Sequence, residues 1–354
     1  MAPRGEGRAL LRLFQEVAVL RPDWQLFFYG EHQPTASLSD LPNAKVRAFS
    51  VPGFRFGSWD NLAFPLVALR DRVDILHCAS SGAPAWASAP MVMTVHDIIP
   101  LVFDDGLPPE AIRRFRHQLE HGIARAAEVI AVSQHTKNDL CRAFGLQPSR
   151  VTVIPWGADS APEAERGSSA DLAAPYVMAF GGEARRKNSL GIVKAFLRAA
   201  KDLPGVRLVF VGMGVGPVRE AVVREVAAAG AGARVQILGY VSEEELKALY
   251  QHATCLLYLS KYEGFGLPLL EALGRGVPVL AANRTSIPEV VADAAMLVDP
   301  DDLGEVASGL VEICKTPSLR EHLREKGIAR SRRYTWQATA EKTIKVFESA
   351  LIKK

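Results

Sequence analysis

The segment Glu263-Gly-Phe-Gly-Leu-Pro-Leu-Leu-Glu271 sets two carboxylates eight positions apart around a Gly-aromatic-Gly turn. Ahead of it, the apolar run Ala253 to Leu259 reads as a buried strand. Pro268 stands where a helix would begin, and Leu269, Leu270, Ala272 and Leu273 continue it. Such a helix start offers unpaired amides and the positive end of a dipole, which suit a phosphate. Glu271 is expected in the first helical turn, with Glu263 just ahead of it. Carboxylates repel a bound phosphate unless they face hydroxyls instead. A sugar on one side and a ribose on the other would satisfy both. The chemistry implied is recognition of a phosphorylated, sugar-bearing ligand, set against a chance pair in which one Glu caps the helix and the other is merely exposed.

Other residues bear on the choice. Phe180-Gly-Gly-Glu-Ala-Arg-Arg-Lys-Asn188 follows a predicted strand. Its small residues, Gly181 and Gly182, allow a tight turn, and Arg185, Arg186 and Lys187 come just before a helical segment. Cations there run against the helix dipole, so they read either as exposed loop charge or as a clamp on a diphosphate leaving group. Thr94-Val-His96-Asp97 ends a strand and places a His-Asp pair at its carboxyl end. His96 could contact the transferred sugar or the nucleophile, while Asp97 fixes its tautomer or holds the loop. A locally hydrogen-bonded His is the plainer account.

Val211-Gly-Met-Gly-Val-Gly216 superficially matches a dinucleotide fingerprint, but its glycine spacing and Pro217 fail the pattern, so a tight strand-to-helix turn explains it. The acidic clusters Asp299-Pro-Asp-Asp302 and Asp104-Asp105 are the only ones suited to Mg²⁺, and the first reads better as a helix-capping loop. A metal-free mechanism with no cofactor is expected, cations and a helix dipole opposing the leaving-group charge. The stretch from Ala111 to Ile123 is basic and amphipathic. It reads as a solvated face or as a contact with anionic lipid.

These residues need a frame. Short β-branched runs alternate with helical patterns throughout: Gln25–Tyr29, Asp74–Cys78, Met91–His96, Val129–Val132 and Val151–Ile154 form a first series. Tyr176–Phe180, Arg207–Val211, Val235–Leu238, Thr254–Leu259, Val277–Ala281 and Met296–Val298 form a second. The pattern predicts an α/β protein with two doubly wound, Rossmann-like domains facing across a cleft, ligands lying outside the strands' carboxyl ends. The expected boundaries are 1–158, a linker at 159–174, 175–333, and a final helix over 334–354 that braces the hinge. Thr335 is its expected N-cap.

Composition fits that frame. The chain has 354 residues, 48% hydrophobic and 23% charged, as expected of a soluble globular protein of two domains. A net charge of +3 gives no case for nucleic acid. Cys78, Cys141, Cys255 and Cys314 are widely spaced and read as reduced thiols of a cytoplasmic protein, not a zinc site. No run is long enough to span a membrane, and the N-terminus does not read as a signal peptide.

Taken together, the chain resembles the retaining, nucleotide-sugar-dependent glycosyltransferases of the two-Rossmann B-type fold (family 4, group 1), among them bacterial mannosyl- and rhamnosyltransferases of polysaccharide assembly. The resemblance rests on Thr94-Val-His-Asp-Ile-Ile-Pro, Val129-Ile-Ala-Val-Ser-Gln-His-Thr-Lys-Asn-Asp-Leu, Val153-Ile-Pro-Trp-Gly-Ala-Asp and Arg186-Lys-Asn. Leu238-Gly-Tyr-Val-Ser-Glu-Glu-Glu-Leu and the Glu263-to-Glu271 stretch complete it. It implies that Glu263 touches the donor sugar's hydroxyls and Glu271 the ribose. Arg186 and Lys187 would stabilise the departing diphosphate, with His96 beside the reacting sugar. Gly264, Phe265, Gly266 and Leu267 would meet sugar and diphosphate, Asp97, Gly181 and Gly182 would belong to the donor site, and Tyr240 and Val241 would lie near the base.

The implied reaction moves a hexose, mannose from GDP-mannose first among the candidates, to a glycan or lipid-linked glycan acceptor. It would occur in the cytoplasm, at the inner face of the membrane if the lipid contact holds. Binding of a sugar nucleotide without turnover is one alternative. An epimerase or hydrolase of the same fold is another, and would need an extra acid/base pair facing the sugar. The family also begins with a strand before a Gly-rich turn. Here Gly5-Glu6-Gly7-Arg8 resembles that turn, and only four residues precede it.

Overall fold

A computed structural model describes residues 5–30, 41–49, 60–79, 82–159 and 175–352. Nearly all of the expected linker, and Met1–Arg4, therefore lie outside the described residues. The chain divides into two compact units. One gathers the described residues within Met1–Val102, Leu107–Gly157 and Tyr334–Lys354, the other those within Phe103–Gly106 and Ala158–Arg333.

The first unit contains α1 (Gly5–Leu20), β1 (Leu26–Gly30), β2 (Ala44–Ala48), α2 (Phe64–Arg70) and β3 (Leu76–Cys78). β4 (Met91–Val95), α3 (Ile99–Val102), α4 (Pro109–Arg125), β5 (Glu128–Ala131), α5 (Gln134–Phe144) and β6 (Val151–Val153) follow. β3-β4-β5-β6 form one parallel sheet and β1-β2 another, also parallel. Every residue of β4 and β5 is buried, as expected of strands covered on both faces.

Two expectations change here. Gly5-Glu6-Gly7-Arg8 forms the first turn of α1 and not a loop, and the helix it opens buries Ala9, Leu13 and Val17 at four-residue spacing on one face. β2, Ala-Lys-Val-Arg-Ala, was not anticipated. Its polar side chains Lys45 and Arg47 mask the strand pattern; their charges lie over the Phe27 ring, and Arg47 also pairs with Asp71 at 3.0 Å.

The second unit runs β7 (Tyr176–Phe180), α6 (Ser189–Ala199), β8 (Arg207–Val211), α7 (Pro217–Ala228), β9 (Val235–Ile237), α8 (Glu243–His252) and β10 (Cys255–Tyr258). It continues with α9 (Leu267–Gly274), β11 (Val279–Ala282), α10 (Ile287–Val291), β12 (Met296–Val298), α11 (Leu303–Lys315) and α12 (Pro317–Ser331). Its parallel sheet has the order β12-β11-β10-β7-β8-β9. The strand order therefore reverses between β7 and β10, whose register pairs Val177 with Cys255 and Ala179 with Leu257. In an open α/β sheet, the crevice beyond the carboxyl ends of such neighbours is where ligands bind. The loops that leave β7 and β10 carry Arg186-Lys187 and Glu263.

After Arg333 the chain returns to the first unit as α13 (Trp336–Ile352). Thr335 caps it, its Oγ1 accepting the Ala338 N–H at 3.1 Å. Val346, Phe347 and Ala350 pack with Val92, Ile130 and Ile154 beneath the first sheet. Gly157 is required where this packing is tightest, since a Cβ there would lie 2.3 Å from the Trp336 nitrogen. No helix among the described residues is long and apolar enough to cross a membrane.

Candidate active site

The site of the second unit forms where β7 and β10 end. Arg185, Arg186 and Lys187 make a single 3-10 turn that leads through Asn188, a left-handed residue at φ 52°, into α6. The turn is tied to the β10 loop: the Arg186 carbonyl accepts the Lys261 N–H at 2.7 Å. Lys187 Nζ donates to Glu263 Oε1 at 2.6 Å and lies 5.7 Å from the centre of the Tyr258 ring. Basic turn and opening carboxylate, 76 residues apart in sequence, thus share one place.

Burial pushes the Glu263 carboxyl upward, but Lys187, Ser260 and Arg186 outweigh it and hold its pKa below the usual glutamate value. The group stays ionised at neutral pH. Its backbone is also fixed. The Glu263 N–H donates to Thr285 Oγ1 at 3.1 Å, and the Ser286 hydroxyl lies 2.9 Å from the Glu263 carbonyl and 3.0 Å from that of Phe265. Ser286 is fully buried, and Thr285 sits at φ 53°, a strained conformation for a β-branched residue. Neither residue belongs to a recognisable motif, so sequence reasoning missed both.

α9 begins at Leu267, with Gly266 at φ 108° ahead of it, Pro268 in its first turn and no side chain capping its amides. Gly264, Phe265 and Gly266 are buried and Leu267 is half-buried. The neighbouring helix starts differ. α8 carries a complete capping box built on Ser242 and Glu245, and the Asp302 carboxylate caps α11. α7, which follows the Gly-x-Gly-x-Gly stretch, has its Val218 and Arg219 amides bound by the Glu183 carboxylate at 2.9 and 3.0 Å. Those amides are thus already satisfied by a side chain.

Glu271 requires a correction. With α9 starting at Leu267 it falls in the second turn, beyond the first-turn position expected for it. Tyr250, fully buried on α8, holds it: the phenol oxygen lies 3.0 Å from Glu271 Oε2 and 3.2 Å from the Pro268 carbonyl. Gly181 and Gly182 contribute shape, since their N–H groups are bound by the Val211 carbonyl and by Ser189 Oγ. A Cβ on Gly181 would lie 2.7 Å from Met213 Cε. Tyr240 is 64% exposed and Val241 half-buried, both ahead of α8.

The acidic clusters are engaged with cations. Asp299 pairs with Arg284 at 2.8 Å, Asp301 pairs with Lys261, and Asp104 and Asp105 pair with Arg185 and Arg186, each at 2.7 Å. Among the described residues no group of three His, Cys, Asp or Glu side chains is placed to hold a metal ion.

His96 and Asp97 belong to the first unit. The Asp97 carboxylate accepts the Ile99 N–H at 2.9 Å and so holds the loop into α3. His96 Nε2 lies 2.9 Å from the Ala79 carbonyl, and the ring stacks on Trp156 at 5.5 Å between centroids. A carbonyl only accepts, so the neutral imidazole carries its proton on Nε2 and keeps Nδ1 as an acceptor. The basic stretch of the first unit forms α4, which buries Leu119, Gly122 and Ile123. Arg113 and Arg116 pair there with Glu110 and Glu120 on the same helix.

Comparison with known proteins gives this arrangement its class. Over 99% of the chain and 94% of theirs, the coordinates match sucrose-phosphate synthase from Thermosynechococcus elongatus with a TM-score of 0.78 at 19% identity. Anabaena HepE, solved with UDP and glucose, matches at 0.76 and 20% identity over 99% of this chain and 98% of that one. The fold is the two-Rossmann glycosyltransferase fold.

The glycosyltransferases group 1 model matches residues 163–330, and the glycosyltransferase family 4 model residues 7–161. The chain belongs to this family and is a glycosyltransferase. Similar curated proteins include O-antigen chain mannosyltransferase B of Escherichia coli, 28% identical over 79% of this chain and 76% of that protein. The MMP alpha-(1->4)-mannosyltransferase of Mycolicibacterium hassiacum is 27% identical over 81% and 73%.

Proposed function

We propose that the protein transfers a hexose from a nucleotide diphosphate sugar to a glycan or lipid-linked glycan, with retention of anomeric configuration and without a metal. One observation carries the donor assignment. At the reversal point of the second sheet, a helix start without a side-chain cap adjoins Lys187 and Arg186, and the Arg186 Nε–H is buried with no hydrogen-bond partner. An unsatisfied buried donor is costly, and a bound phosphate oxygen would satisfy it.

In this reading, negative charge grows on the diphosphate as its bond to the anomeric carbon breaks. The Arg186 and Lys187 cations, with the Leu267 N–H at the start of α9, would meet that charge without a metal. The acceptor hydroxyl attacks from the face the leaving group vacates, and its proton passes to the leaving phosphate oxygen. Glu263, fixed by Lys187, holds hydroxyls of the transferred sugar, and Glu271, fixed by Tyr250, holds the ribose. Mannose from GDP-mannose is the favoured donor because similar proteins are named mannosyltransferases. The exposed guanidinium groups of Arg113, Arg114 and Arg116 on α4 suit peripheral contact with anionic lipid at the cytoplasmic face of a membrane.

Nucleotide release from GDP-, UDP- and ADP-sugars, measured with a chelator and a mannan-type oligosaccharide acceptor, tests the proposal. Turnover is expected to be fastest with GDP-mannose and indifferent to the chelator. Donor binding with no nucleotide release from any of the panel would make the protein a sugar-nucleotide binder and overturn the proposal.

A further inference from the structure

The stretch Phe103–Gly106 clusters with the second unit, although it stands between α3 and α4 in sequence. It delivers two carboxylates to the basic turn, and they do so very differently. Asp104 meets Arg185 where both are open to solvent, at 82% and 61% exposure, and such a pair contributes little. Asp105 and Arg186 are 10% and 24% exposed. Asp105 also grips Arg186 at two points. Its Oδ2 accepts from the guanidinium at 2.7 Å and its Oδ1 accepts the backbone N–H at 3.0 Å.

The stretch is shaped to do this. The Asp105 N–H donates to the Phe103 carbonyl at 3.0 Å, and Phe103 rests against Tyr262 with 6.1 Å between ring centroids. Gly106, at φ +78°, turns away directly against Arg185, whose Nε would lie 3.3 Å from any Cβ added there. One guanidinium nitrogen of Arg186 is thereby held by Asp105, while Nε stays buried without a partner.

We infer that Asp105 is a positioning residue for the leaving group: it locks Arg186 so that its remaining N–H edge is presented to the diphosphate. The inference rests on the donor reading above. A guanidinium held in a fixed fork loses less side-chain entropy on binding phosphate than one that must first be ordered. A carboxylate held so close could instead compete with the diphosphate for the same cation, and the sign of a mutational effect separates the two.

The test is a double-mutant cycle read by calorimetric affinity for GDP and GMP. Asp105→Ala is expected to weaken GDP binding by about tenfold or more, on the scale of a hydrogen bond to a charged group. GMP affinity should hardly change. In an Arg186→Ala background the same substitution should change GDP affinity by less than about twofold, because the group it positions is gone. Asp105→Asn, which keeps an acceptor oxygen without the charge, should fall between, and Asp104→Asn should resemble wild type.

Tighter GDP binding by Asp105→Ala, or an equal loss in both backgrounds, would overturn the inference and leave the donor reading intact. If Asp105→Ala fails to fold, an Asp105→Asn variant with unaltered GDP affinity overturns it equally. Wild-type protein that binds neither GDP nor UDP would overturn the donor reading first, and this inference with it.

Discussion

Replacing Arg186 with alanine is expected to lower kcat by about 10² to 10³-fold, the cost of removing one preorganised donor from a developing negative charge. The donor KM should move less, because the interaction strengthens as the anomeric bond breaks. Arg186→Lys should recover only a small part. An ammonium cannot meet Asp105 on one nitrogen and offer a second nitrogen to the phosphate. Lys187→Ala should be comparably slow for a second reason, since it leaves the Glu263 carboxylate, only 12% exposed, without its cation. Steady-state kinetics over a range of donor concentrations checks this. A large rise in KM at unchanged kcat would move both residues from leaving-group stabilisation to ground-state binding.

The second large effect divides the two carboxylates that bracket the turn. Glu271→Ala should weaken nucleotide affinity by about 10 to 100-fold, the range for a lost hydrogen bond to a charged group. Glu263→Ala should bind nucleotide nearly as wild type and mainly slow transfer. The surroundings support the split. Glu271 is oriented by Tyr250 from α8, whereas Glu263 is tied to Lys187, the cation proposed to meet the leaving group. Calorimetric titration with the free nucleoside diphosphate beside transfer rates decides the matter. Equal nucleotide affinity in wild type and both variants would refute it.

Acidification should act on Glu263 late. Its folded-state pKa lies below the ordinary glutamate value, so its stabilising ion pair is complete above that value. The pair is lost only as pH falls through the lower, folded-state value.

Much of the frame was legible in the sequence. β7 and β10 are short continuous apolar runs, and such runs announce buried parallel strands whatever their neighbours. The Gly-Pro pair at Gly266 and Pro268 marks a helix start by backbone geometry alone, and the start is found at Leu267. Placing Glu271 in the first turn failed by one residue of helix phase, the usual uncertainty of a boundary.

What the sequence withheld were partners brought together by topology. Asp105 is 81 residues from Arg186, and Glu183 reaches α7 across 35 residues; no local spacing encodes either contact. Ser286 and Tyr250 read as ordinary polar and aromatic positions until the loops they anchor are seen. β2 was hidden by a composition suited to a polar strand surface.

On the proposed reading a diphosphate is held by the start of α9, Arg186 and Lys187 without a metal. Titrating the wild-type protein with GDP and with GMP, each in a chelator, tests it most directly. GDP is expected to bind at least about tenfold more tightly than GMP, one charge-assisted contact or more being lost with the second phosphate. Equal affinities, or GDP binding that appears only when a divalent metal is restored, would contradict it.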